Sequence, residues 1–202
     1  MPVRLSAFAS FVASLRSSEM FHRPLLFALI GLAIVSRLIP HPPNFVFLGA
    51  LGLFAGCHFR GLTAWMAPVL ALGISDWIGH FAGVRGMGFY SPGLMLSVYV
   101  GVAASTLLGT TLRGSQSFPR VGAAAIACSA VFFLVSNFGV WLTGSYASGL
   151  PGLVACYSAA IPFFQNTLAG DAFYSVLTFG SMAAWQAWRG ANFAASRDRV
   201  TA

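Results

Sequence analysis

Asp76 and His80 stand four residues apart, so a helix through them carries a carboxylate and an imidazole on one face. Such a pair can exchange a proton, balance a cation or hold a polar ligand. Asp171 is a second acid in apolar surroundings, close behind Asn166. Asn137 and Trp141 repeat the four-residue step. Arg37, His41 and Asn44 cluster around the stiff Pro40-His41-Pro42-Pro43 run, and Arg85 and Tyr90 bound a glycine-rich connection. The candidate binding set is therefore Arg37, His41, Asn44, Asp76, Trp77, His80, Tyr90, Asn137, Trp141, Asn166 and Asp171. The polar members supply hydrogen bonds and charge; Trp77, Trp141 and Tyr90 supply stacking surface. The alternatives are an acid–base site of a membrane enzyme built on Asp76, His80 and Asp171, or structural ion pairs between those acids and Arg37 or Arg85. No Ser-His-Asp order, His-Glu-x-x-His run or Walker loop occurs, so no catalytic residue is assigned.

The three cysteines, Cys57, Cys128 and Cys156, form no Cys-x-x-Cys and no zinc spacing. No metal and no cofactor is expected. Among the thiols, only Cys156 falls in a segment that the expected topology exposes to an outer ligand.

The elements that must position these groups are set by composition. The chain has 202 residues, of which 57% are hydrophobic and 7% charged, with a mean hydropathy of +0.79. It has no lysine, and all 11 basic residues are arginine. Too few charges remain to solvate a water-soluble surface, so the fold class is an all-α integral membrane protein. The net charge of +7 is spread over loops and ends, which excludes a nucleic-acid partner and makes the lipid bilayer the first partner.

Apolar runs predict six transmembrane helices at 24–39, 44–59, 62–81, 90–112, 121–143 and 167–188. The first two are short and can be thin, tilted or partly re-entrant. With the N-terminus in the cytoplasm, Arg4, Arg16, Arg23, Arg60, Arg113, Arg120, Arg189, Arg197 and Arg199 fall inside, and only Arg37 and Arg85 outside. This is the positive-inside pattern, and it places both termini in the cytoplasm of a bacterial inner membrane. Residues 1–23 form a cytoplasmic tail or an interfacial helix, and 189–202 a second tail. The uncharged stretch 144–166 predicts a short outer helix or lid, at 150–161, between spans five and six. Small residues at Gly52 and Gly56, at Gly101, Ser105 and Gly109, and at Ala123 and Ala127 allow close helix contacts, within the chain or with a partner.

On this topology nearly every half-buried polar side chain lies in the outer third of the bilayer. A conducting pathway needs polar groups through its whole depth, whereas a binding cup open to the outside needs them at one end. The expected function is capture of a small molecule from the outer side.

Four segments carry a family resemblance: Ser36-Arg37-Leu38-Ile39-Pro40-His41-Pro42-Pro43-Asn44-Phe45, Ile74-Ser75-Asp76, Asn137-Phe138-Gly139-Val140-Trp141-Leu142 and the run from Pro162 to Asp171. Together they resemble an uncharacterised bacterial family of six-span membrane proteins, a domain of unknown function. More distantly, size and topology are similar to the S components of energy-coupling-factor vitamin transporters. That resemblance implies six helices, an outward pocket for a vitamin or cobalamin-like ligand, and energising transporter subunits as partners. The first span carries Ala28, Gly31 and Ala33 in place of the Ala-x-x-x-Ala pattern through which such components dock.

Overall fold

The computed structural model describes residues 24–84, 87–89 and 91–201, with side chains through Asn192. The expected tail or interfacial helix of residues 1–23 lies outside them, as do Arg85 and Tyr90. Six helices are described: α1 (Pro24–Leu38), α2 (Leu48–His58), α3 (Leu62–Phe81), α4 (Pro92–Thr110), α5 (Phe118–Leu142) and α6 (Leu150–Thr201). Of these, α3, α4 and α5 are long and apolar enough to cross a membrane. A chain with three such helices and large apolar side chains facing outward, among them Leu62, Leu96 and Leu142, is a membrane protein.

Helix starts follow local chemistry. Ser91 accepts the Leu94 N–H at 3.3 Å, and Pro92 occupies the first turn of α4, where its missing N–H leaves no gap. Ser117 and Pro119 repeat the arrangement at α5 without a side-chain cap bond.

The core is organised around α2. It has only 11 residues, about 16 Å of rise, yet Leu48 and every residue from Ala50 to Cys57 are buried. A helix that is apolar on all sides belongs inside, and α2 packs against α3, α4, α5 and α6. Its contact with α4 is backbone to backbone. A Cβ added at Gly52 would fall on the Ser105 hydroxyl, one at Gly56 on the Thr106 carbonyl, and one at Gly109 on the Leu53 carbonyl. These small residues thus serve packing within the chain.

Both ends of α2 are held by charged side chains from other elements. At the C-terminal end, Arg113 donates from Nε to Gly56 O at 2.8 Å and from a terminal nitrogen to Phe59 O at 3.1 Å. At the N-terminal end, the Asp171 carboxylate of α6 lies against Gly49 in the first turn of α2 and faces the Ala50 N–H. A cation at the negative end of the helix dipole and an anion at the positive end is the favourable arrangement. It lets a helix half the thickness of a bilayer stand buried with its ends satisfied. Ser36 fastens the approach to α2, taking the Phe47 N–H at 3.2 Å while donating to Ala33 O at 2.8 Å.

The last helix differs from expectation. The segment expected as a separate outer helix or lid forms the first turns of α6, which runs unbroken for 52 residues, about 78 Å. Pro162 sits within it on an exposed face. The first turns lie along α5: Tyr157 donates to Leu134 O at 2.6 Å, the Cys156 thiol meets Asn137 O at 3.4 Å, and Phe133 packs on Tyr157 and Phe164. The lid is absent because these residues already have a partner surface on α5. Toward its other end α6 reaches Phe54 and His58 through Phe179, and it continues past them with Trp188 exposed.

Candidate functional site

The turn between α1 and α2, the second half of α3, the first half of α4 and the middle of α5 and α6 enclose a cavity of about 710 Å³. Its wall is mostly apolar, with Leu38, Ile39, Val46, Leu72, Met87, Met95, Val98 and Phe132 among the lining residues. Polar groups enter from Arg37, His41, Asn44, Asp76, Tyr99, Thr167, Cys128 and Asp171. An apolar chamber of this size with a few convergent polar groups is the usual form of a small-molecule site.

Each polar group is placed by a specific local cause. Arg37, on the last turn of α1, reaches α3 and donates to Asp76 Oδ1 at 2.7 Å, to Leu72 O at 3.1 Å and to the Ser75 hydroxyl. The pair is largely dry, with side chains 12% and 10% exposed. Ser75 turns back to its own helix, at Ala71 O and Leu72 O, so it accepts from Arg37 without losing its own acceptor. Asn44 takes a left-handed conformation (φ 65°), which asparagine tolerates better than other side-chain-bearing residues and which lets the chain reverse after two prolines. His41 directs Nδ1 to Pro42 O at 2.7 Å and Nε2 to Arg37 O at 3.3 Å, bracing the same turn.

Asp171 sits deepest. Its carboxylate takes the Ser129 hydroxyl at 2.6 Å and faces the Ala50 N–H, with the Cys128 thiol alongside. Gly49 makes this approach possible, since a Cβ there would overlap the carboxylate. Ser129 is the twelfth residue of the 25-residue α5, so Asp171 lies level with the middle of that helix. The sequence reading put it near an outer helix start. The shift arises because α6 begins at Leu150, and its register is fixed by the Cys156, Tyr157 and Asp171 contacts with α5.

The structure thus brings Arg37, His41, Asn44, Asp76 and Asp171 together around one chamber. Trp77, 58% exposed, points outward and packs on Phe81, while His80 lies between Phe81 and Phe89 on an exposed face. His80 therefore does not join Asp76 at the cavity wall, although the two share a helix. Asn137 turns to Phe133 O at 2.8 Å, Trp141 to Ala147 O at 3.2 Å, and Asn166 is half-buried on α6; none of the three lines the cavity. Tyr90 lies outside the described residues.

Sequence reasoning missed Tyr99, Cys128, Ser129, Met87, Met95 and Thr167. None is charged, and only the helix pairing reveals which of them face the chamber. The thiol expectation is corrected as well. Cys156 is buried between α5 and α6, whereas Cys128 lines the cavity. Among the described residues no group of three or more His, Cys, Asp or Glu side chains is placed to hold a metal ion.

Residues 18–192 match a family described as a family of unknown function (DUF6580), and the chain belongs to that family. No curated protein and no solved structure matches the chain.

Proposed function

We propose that this DUF6580 protein is a multi-pass protein of a bacterial inner membrane that captures a small molecule from the outer side and takes part in its uptake, in the manner of an S component. The observation that carries the reading is the cavity itself, about 710 Å³, which runs from Arg37 and Asp76 at one end of the bundle down to Asp171 at mid-depth. Arg113 contacts Gly56 and Phe59 at the opposite end, close to Arg60. In this reading the chamber opens toward the arginine-poor face, which the positive-inside rule assigns to the outside. In this reading all six helices contribute to spanning, with both termini cytoplasmic. The second crossing is a turn followed by the half-length α2. Irregular backbone at that depth is tolerable because it lines a cavity and not lipid. The turn after α1, which lines the chamber through Pro40, His41, Pro43 and Asn44, forms the mouth in this reading, together with Val84 and Met87. Delivery to the cytoplasm needs a change of that mouth or an energising subunit.

A second reading has its own support. Asp76 is paired with Arg37, and Asp171 caps α2, so each acid already has a structural task. A scaffold subunit needs nothing more. Native mass spectrometry of the full chain, released from lipid nanodiscs, separates the two. A co-purifying small molecule whose adduct weakens in Met95→Trp, which fills the chamber, supports binding. A bare chain that gains no thermal stability from any member of a vitamin and amine library supports the scaffold.

A further inference from the structure

The balance of charge around the chamber limits what can enter it. Two features could attract an anion, and both are occupied. The Arg37 guanidinium is engaged by Asp76, Ser75 and Leu72 O. The N-terminal end of α2, a natural anion site with its free N–H groups and positive dipole end, is filled by the protein's own Asp171. Both His41 ring nitrogens face main-chain carbonyl oxygens. Asp171 is in the opposite position. It is 3% exposed, lines the cavity, and among the described residues no arginine or histidine pairs with it. Its neighbours Ser129, Ala50 and Cys128 are neutral donors, and the α2 dipole offsets only about half a unit charge. A carboxylate held this far from water is costly without a counter-charge.

We infer that the cavity selects a monocation with an apolar body, such as a protonated amine carrying a ring, whose charged group sits against Asp171. The inference rests on the chamber being a ligand site, as proposed above, and adds the sign of the ligand's charge. The rest of the wall agrees with it. Tyr99 and Phe132 offer aromatic surface and Met87 and Met95 polarizable sulfur, which suit a cationic or heteroaromatic group over an anion. A second anion would meet Asp171 and Asp76 in a site of low dielectric, where like charges are strongly disfavoured.

Isothermal titration of the detergent-solubilised full chain with three probes sharing one ring tests this: tryptamine (cation), tryptophol (neutral) and indole-3-acetate (anion). Tryptamine is expected to bind about tenfold or more tightly than tryptophol, a preference typical of one desolvated charge contact, and indole-3-acetate not at all. In Asp171→Asn, whose amide oxygen can still face the Ala50 N–H, the preference is expected to fall below about twofold. Equal or tighter binding of tryptophol or indole-3-acetate by the native chain overturns the charge assignment while leaving a binding cavity. So does an unchanged preference in Asp171→Asn. Heat from none of the three also overturns it, and if native mass spectra then show no adduct of any kind, the proposed function falls with it.

Discussion

Arg37→Met isolates what the Arg37–Asp76 pair does for the fold. The substitution keeps most of the side-chain volume and removes the only cation found paired with Asp76 among the described residues. The local consequences are confined. Ser75 retains Ala71 O at 2.6 Å, and Leu72 O retains the Ser75 hydroxyl at 2.9 Å, so neither is orphaned. The loss therefore falls on Asp76, whose side chain is 10% exposed and whose carboxylate is left without its 2.7 Å partner. Removing one member of a buried pair costs about 3–5 kcal/mol, and the residual exposure here points to the lower end. Arg37→Met/Asp76→Asn removes the stranded charge and is expected to recover about half or more of that loss. Unfolding in mixed micelles, followed by tryptophan fluorescence, measures both. A loss under about 1 kcal/mol in the single variant, or a double variant no better than the single, would refute the reasoning and make the pair a surface-like contact.

Three further outcomes follow from the packing. Gly52→Ala places a methyl on the Ser105 hydroxyl and should cost about 1–3 kcal/mol, whereas Gly31→Ala meets nothing within 4 Å and should leave thermal stability in detergent unchanged or slightly raised. Arg113→Gln withdraws two charge-assisted bonds from the end of α2 and should destabilise by about 1–3 kcal/mol, against under about 0.5 kcal/mol for Arg120→Gln, exposed like Arg113 but without a hydrogen bond among the described residues; equal effects count against the capping role. Cys57 and Cys156 are buried and do not line the chamber, so a thiol reagent should label both slowly in the native chain and fully only on unfolding. Rapid labelling of Cys156 in the folded state contradicts the docking of α6 on α5.

The helices were legible where hydropathy alone decides. The run 62–81 is α3, and the ends of α4 and α5 lie within three residues of their expected bounds. The sixth helix was not, because its buried face is small and polar up to Phe179: Gly152, Cys156, Ala160, Thr167, Gly170, Asp171, Ser175 and Thr178. A hydropathy reading sees a break at Pro162 and Gln165-Asn166, both on exposed or half-buried faces, where the helix simply continues. The depth of Asp171 was hidden for the same reason, since depth depends on pairing with α5 and not on distance from a helix end. Arg37, His41, Asn44 and Asp76 were legible because charged or turn-forming residues stand out in an apolar chain. His80, four residues from Asp76, shows the limit of the i, i+4 rule. It places two side chains on adjoining turns, but a few tens of degrees decide between a cavity wall and the lipid side.

The central claim is that the chamber is hollow and reached from the arginine-poor face. Met95→Cys in a chain that also carries Cys128→Ala tests it directly, since positions 95 and 128 both line the chamber and the remaining thiols, Cys57 and Cys156, are buried away from it. A small, membrane-impermeant cationic methanethiosulfonate should modify Cys at that position in right-side-out spheroplasts within minutes, and slowly or not at all in inverted vesicles. Modification only in inverted vesicles, or in neither, contradicts the account.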